Sequence, residues 1–161
     1  MVVPETPMIK NINDFMLHTI KVAEQNPMAP YGAIIVYDDI EILLESVNST
    51  DNNPLMHGEL SVIHRLFENG FEGEPNKLSL YTTAEPCPMC ASAIYWSMIP
   101  KIFYGSSIPF LDDLFGRQIR IRAAEVFSNT PDFYSCDLNG GILENECNDL
   151  FLKAKKIRDK K

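Results

Sequence analysis

Ligands for one metal ion that lie far apart in a chain constrain its fold more tightly than any propensity. His57-Gly58-Glu59 and, thirty residues after His57, Pro86-Cys87-Pro88-Met89-Cys90 form such a set. One imidazole and two thiolates are borderline and soft donors, the combination zinc takes when three protein ligands leave its fourth position to water. Bringing His57 onto Cys87 and Cys90 requires the intervening chain to fold back on itself. Glu59, two residues from a ligand, then stands where the base that such a water needs would stand.

The local pattern supports that reading. Cys87 and Cys90 at i and i+3 point their sulfurs to one side at the start of a helix, where the backbone dipole favours thiolate. Two alternatives remain beside it. The first is a closed structural zinc with Cys136, Cys147 or another group as fourth ligand, in an interaction module without catalysis. The second is a Cys-x-x-Cys redox centre, which His57-x-Glu59 and the Pro88-Met89 spacer disfavour. Cys136 and Cys147 otherwise read as buried small hydrophobes, and four cysteines so placed make a poor disulfide framework.

Around the motif the chain alternates helix and strand signals. Residues 1–10 read as a loose lead-in. Asn11 or Asn13 can cap a helix with Phe15, Leu17, Ile20 and Val22 inward, ending before Asn26-Pro27. A hairpin is expected over residues 32–46, turning at Asp38-Asp39. His57 opens a helix in which Leu60, Ile63 and Leu66-Phe67 recur, and Asn69-Gly70 ends it. Residues 78–104 make a β-α-β unit with parallel strands, its helix opening at Pro88 and stopping before Pro100. From Gly141 onward Leu143, Cys147, Leu150-Phe151 and Ala154 trace one helical face that should pack on the sheet. Residues 105–141 give no clear pattern beyond a basic cluster of Arg117, Arg120 and Arg122, read as solvated surface. His18 and His64 stand apart from the ligand set; His64 is about 10 Å along the helix axis from His57.

A chain of 161 residues with 45% hydrophobic and 22% charged content fits one domain, residues 1–161, with a single core. It contains no apolar run long enough for a membrane span and no signal-peptide pattern at its start, so a cytoplasmic protein with no membrane partner is expected. The net charge of −8 is unevenly spread: residues 153–161 carry +5 as a basic tail, leaving −13 on residues 1–152. An acidic body opposes generic nucleic-acid binding, and the tail is a local exception that also suits a helix C-terminus.

The pattern H-x-E followed by P-C-x-x-C is the signature of zinc-dependent nucleobase deaminases. The chain resembles the cytidine and deoxycytidylate deaminase superfamily, in the branch of guanine deaminases, yeast-type cytosine deaminase, nucleoside deaminases and tRNA wobble adenosine deaminases. The resemblance runs from about Asn11 to Tyr104 and returns in the C-terminal helix. It implies a three-layer α/β/α fold with a mixed sheet of about five strands. It also implies one zinc per chain on His57, Cys87 and Cys90, Glu59 as proton shuttle, a backbone N–H near Cys87 that orients water, and a homodimer. The loop Pro30-Tyr31-Gly32-Ala33 and Asn48 have substrate-binding counterparts in the family, as does Leu111-Asp112-Asp113, which gives Asn48, Ala33 and Asp113 as expected substrate contacts. By this resemblance a guanine-like purine base or nucleoside is the favoured small-molecule substrate. Wobble adenosine in tRNA stands second, through the C-terminal helix and basic tail, and cytosine third, through Gly58 where many relatives have alanine.

Overall fold

The computed structural model describes residues 11–161, and the expected lead-in at 1–10 lies outside them. The first helix, α1 (Ile12–Ala23), begins with a reciprocal cap: Asn11 Oδ1 accepts from the Asp14 N–H at 2.9 Å and the Asp14 carboxylate accepts from the Asn11 N–H at 3.1 Å. Its inward stripe is Phe15, Met16, Thr19, Ile20, Val22 and Ala23. Leu17, expected inside, falls on the opposite side of that stripe and is exposed. Buried Thr19 is satisfied by donating to the Phe15 carbonyl at 2.8 Å.

Strands β1 (Gly32–Tyr37) and β2 (Glu41–Val47) form the expected hairpin, with Tyr37 opposite Glu41. Asp38 and Asp39 both take left-handed backbone, at φ 55° and 56°, the geometry that matches strand twist in a tight hairpin. The helix after His57 is α2 (Gly58–Glu68), with Val62, Ile63 and Leu66 buried and Phe67 turned to solvent. Strand β3 (Leu78–Ala84), helix α3 (Pro88–Trp96) and strand β4 (Lys101–Ser106) make the expected parallel β-α-β unit. The stretch without a clear sequence pattern folds as α4 (Ile108–Phe115), α5 (Ala123–Ser128) and the short strand β5 (Asp137–Asn139), and α6 (Glu144–Asp159) closes the chain.

The five strands run in the order β2-β1-β3-β4-β5, antiparallel on the hairpin side and parallel from β3 to β5. Alternate residues face opposite layers, as the period of two in a strand requires. Ile35, Leu80 and Ile102 pack with α2, α3 and α5 on one face. Ile34, Val36, Tyr81 and Phe103 pack with α1 and α6 on the other, where Tyr81 and Phe103 stack at 4.6 Å. The result is a three-layer α/β/α arrangement. Cys147, Leu150, Phe151 and Ala154 are buried along α6 as the sequence pattern requires, and α6 comes close to β4 because Gly105 has no Cβ to meet the Cys147 sulfur. Among the described residues no helix is long and apolar enough to cross a membrane.

Candidate active site

Strands β3 and β4 end on the same side of the sheet, and the chain leaving β3 carries Glu85, Pro86 and Cys87 straight into α3. In open α/β sheets such a strand end is where ligands bind. Cys87 is the N-cap of α3 with Pro88 in its first turn, and His57 is the N-cap of α2. The ligand set therefore sits at two helix N-termini, whose partial positive charge favours thiolate.

Zinc fits this set by distance. Bonds of about 2.05 Å to nitrogen and about 2.3 Å to sulfur in a tetrahedron hold the two ligand atoms about 3.6 Å apart. His57 Nδ1 lies 3.6 Å from Cys87 Sγ and 3.7 Å from Cys90 Sγ. Among the described residues His57, Cys87 and Cys90 are the only such group, so neither Cys136 nor Cys147 supplies the fourth ligand that a closed structural site needs. Cys147 is instead buried under β4 and Cys136 packs at the edge of the core beside Tyr134. His64 pairs with Glu68 at the surface and His18 with Glu45, both outside the site.

The donors are electrically primed. The hydrogen bond from Cys90, reinforced by His57, pulls the Cys87 thiol down to about 4, while the same contact and burial push the Cys90 thiol up. The Cys87 contact raises the His57 imidazole against the effect of burial.

Glu59 is 3% exposed in the first turn of α2 and does not belong to the ligand set. Burial, then the neighbouring Cys87 charge, pushes its carboxyl up to about 7. Thr82 Oγ1 stands 3.1 Å from Glu59 Oε1 and 3.0 Å from the Ala84 carbonyl oxygen. The hydroxyl can donate to a Glu59 carboxylate, or accept from a protonated Glu59 while donating to Ala84. Either protonation state of Glu59 therefore finds a partner.

His57, Glu59 and Cys87 line a cavity of about 520 Å³ together with Tyr31, Asn48 and Thr50. Asn48 is nearly buried: its Nδ2 donates to Thr50 at 3.0 Å, and its Oδ1 has no hydrogen-bond partner among the described residues. The opposite wall is Leu111, Phe115, Arg117, Gln118 and Ile119. Two of the expected substrate contacts lie elsewhere. Ala33 packs into the core between sheet and α2, and Asp113 faces solvent from α4, so neither lines the cavity; Tyr31 and Arg117 occupy the wall in their place.

No sequence pattern singles out Glu85, and Arg122, half exposed as a solvated residue would be, nevertheless turns its Nε inward to it. The Glu85 side chain is 1% exposed, accepts from Arg122 Nε at 2.9 and 3.0 Å, and also accepts from the Ile108 and Ala123 N–H groups at 2.8 and 2.9 Å. One carboxylate thus caps both α4 and α5 and ties the cavity wall to the ligand segment. The only sequence signal was its place two residues before Cys87. Arg120 pairs with Asp112 at 2.7 Å but its side chain is 82% exposed, so Arg120 keeps the expected solvated role, as does the exposed Arg117 at the rim of the cavity, and only Arg122 is drawn into a buried contact.

Comparison with known proteins agrees with this geometry. The model for the cytidine and deoxycytidylate deaminase zinc-binding region matches residues 9–106. Guanine deaminase of Bacillus subtilis is 38% identical over 79 residues, 48% of this chain and half the length of that enzyme. The tRNA-specific adenosine deaminase of Rickettsia bellii is 31% identical over 151 residues, covering 89% of this chain and 97% of the relative. A solved structure from work on A-to-I editing by tRNA:A34 deaminases superposes with a TM-score of 0.70 at 27% identity, over 84% of this chain and 97% of that one. With the zinc-ligand set assembled in the fold these relatives share, the chain belongs to the cytidine and deoxycytidylate deaminase family and is a hydrolytic deaminase that cleaves a C–N bond.

Proposed function

We propose that the protein hydrolyses the exocyclic amine of a nucleobase to a carbonyl with release of ammonia, a guanine-like purine being the favoured ring. The observation that carries this reading is a buried Glu59 beside the His57, Cys87 and Cys90 donors in the wall of a cavity large enough for a base. When bound, zinc supplies water acidified enough to act as a nucleophile near neutral pH. Glu59 takes one proton from that water on a carboxylate oxygen and delivers it to a ring nitrogen. It then takes the second from the hydroxyl added to the ring carbon and delivers it to the amine, which leaves as ammonia as the carbonyl forms. Thr82 keeps the Glu59 carboxylate oriented in both states. The Cys87 backbone N–H is assigned to orienting the attacking water.

Asn48 is assigned to the base edge, because its free Oδ1 can accept from a ring N–H or amine. The 38% identity to a guanine deaminase supports a purine. Wobble adenosine in tRNA is the second reading, supported by alignment with a tRNA-specific adenosine deaminase over 97% of its length. Cytosine stays third: Gly58 has a local cause, since a Cβ there would run into the Tyr31 carbonyl, and the remaining support is 31% identity over 97 residues to a probable cytosine deaminase of Schizosaccharomyces pombe. We also assign one zinc to each chain in a single domain, and pairing with a second copy, which the exposed Trp96 and Phe133 near α3 support.

The test is ammonia release from guanine, guanosine, adenine, adenosine, cytosine, cytidine and a tRNA anticodon stem-loop. Release from a guanine form supports the first reading. Inosine formed in the stem-loop alone replaces it with the second, and no release from any member rejects both.

A further inference from the structure

Two cations in the wall of the Glu59 cavity come from distant parts of the chain. Arg117 follows the C-terminal Gly116 of α4, and Arg158 stands in the last turn of α6. Arg158 is held in place: its guanidinium lies 4.3 Å from the centre of the Phe115 ring and its Nε donates to the Met28 carbonyl at 2.8 Å. Its two terminal nitrogens have no partner among the described residues. Neither Arg117 nor Arg158 makes an ion pair among those residues, whereas Arg120 and Arg122 are both neutralised by carboxylates.

The acidic groups lining the cavity do not balance these charges. Glu85 is taken up by Arg122 and two backbone N–H groups. Glu59 is the proton-transfer group. The C-termini of α4 and α6 offset about half a charge each, so roughly one unit of positive charge remains at this wall. That excess is local, on a body whose residues 1–152 carry −13. Tyr31, Glu59, Arg117 and Arg158 line the same cavity, which places both cations and the reacting carboxylate within reach of one ligand.

A neutral base or nucleoside offers two guanidinium groups hydrogen-bond acceptors such as purine O6 and N7 but no opposite charge. A phosphate supplies that charge, and the planar fork of arginine matches its oxygens. We propose that Arg117 and Arg158 form an anion-binding rim that holds a phosphate of the substrate, so that the target base is presented as a nucleotide unit, free or within a single strand. This rests on the deaminase reading of the site and adds the form in which the base arrives.

The experiment measures equilibrium binding to zinc-loaded Glu59→Ala protein, which does not turn ligands over. Guanosine and adenosine are compared with their 5′-monophosphates and with trinucleotides carrying the same base at the centre, at low and high salt. In parallel, wild-type protein is assayed for ammonia release from the same ligands. A phosphate should tighten binding by about tenfold or more, the equivalent of one charge-assisted hydrogen bond, and salt should erode the gain. The gain should collapse in Arg117→Ala, an exposed loop position, and in Arg158→Ala, and persist in Arg120→Ala. A gain complete with the monophosphate assigns the rim to a free nucleotide; one that needs the trinucleotide assigns it to a strand. Equal affinity for nucleoside and phosphorylated forms overturns the rim, as does a gain that survives both rim substitutions. Ammonia released with no phosphate gain rejects the rim and leaves the deaminase reading standing. Phosphate-dependent binding without ammonia from any ligand does the reverse.

Discussion

Arg122 directs a single nitrogen, Nε, between both carboxylate oxygens of Glu85, and the same carboxylate caps α4 and α5 through the Ile108 and Ala123 N–H groups. This buried acceptor holds the outer wall of the cavity to the strand that delivers Cys87. In Glu85→Gln an amide NH₂ would face donors and leave at least one of them unsatisfied, at a cost of about 2–4 kcal/mol. The expected result is a midpoint of thermal unfolding lowered by roughly 10 °C. Arg122→Ala should cost less, because that side chain is half exposed. Calorimetry of the two variants checks the order; equal or negligible shifts would count against the strap.

Gly58 sits between a zinc ligand and the proton-transfer carboxylate at the start of α2, where alanine would ordinarily favour a helix by up to about 1 kcal/mol. Here the added Cβ meets the Tyr31 carbonyl, which is backbone and cannot swing away. Gly58→Ala should therefore destabilise the protein by about 1–3 kcal/mol and weaken zinc retention by shifting His57. Denaturant unfolding and zinc content after dialysis measure both. A more stable variant with full zinc would show that the Tyr31 backbone yields.

Thr82 touches the Glu59 carboxylate but not the ligand set. Thr82→Val keeps the shape and removes the hydroxyl, so kcat should fall about 10- to 100-fold with zinc content unchanged, the loss of one hydrogen bond to a charged group. Thr82→Ser should recover most of it. An unchanged kcat in Thr82→Val would mean that Glu59 is positioned by other contacts.

The parts of this arrangement visible in the sequence are those with a local cause. The hairpin shows through the β-branched run of β1 and its Asp38-Asp39 turn, and α3 through Pro88 and the cysteine spacing. The burial of Cys147, Leu150, Phe151 and Ala154 follows from a sixteen-residue helix with a continuous face. By contrast α5 has six residues and β5 three, too few for any period to show. Leu17 was misplaced because the inward stripe of α1 includes Met16 and Thr19, and a buried threonine does not announce itself. The strap from Glu85 to Arg122 joins residues 37 positions apart, so nothing local marks it. The departures of Ala33 and Asp113 from the cavity wall have the same origin: the resemblance supplied positions, and only the packing of β1 and α4 decides which way those side chains point.

Metal removal separates structure from chemistry. Three ligands from two helix starts are drawn together against the mutual repulsion of thiolates once their protons are lost, and zinc offsets that repulsion. Dialysis against a chelator should abolish ammonia release and lower the unfolding midpoint, and one equivalent of zinc should restore both. Full activity in protein shown to be free of metal would exclude the assigned chemistry.

The central claim is that Glu59 moves protons and does not bind the metal. Its most direct test is zinc content and ammonia release measured side by side for wild-type and Glu59→Ala protein, with the substrate that the wild-type enzyme turns over. The expected result is about one zinc per chain in both and turnover in the variant reduced by about four orders of magnitude or more, as for loss of a proton-transfer group. Turnover near the wild-type level would contradict the role of Glu59, and loss of zinc along with the carboxylate would make it a ligand.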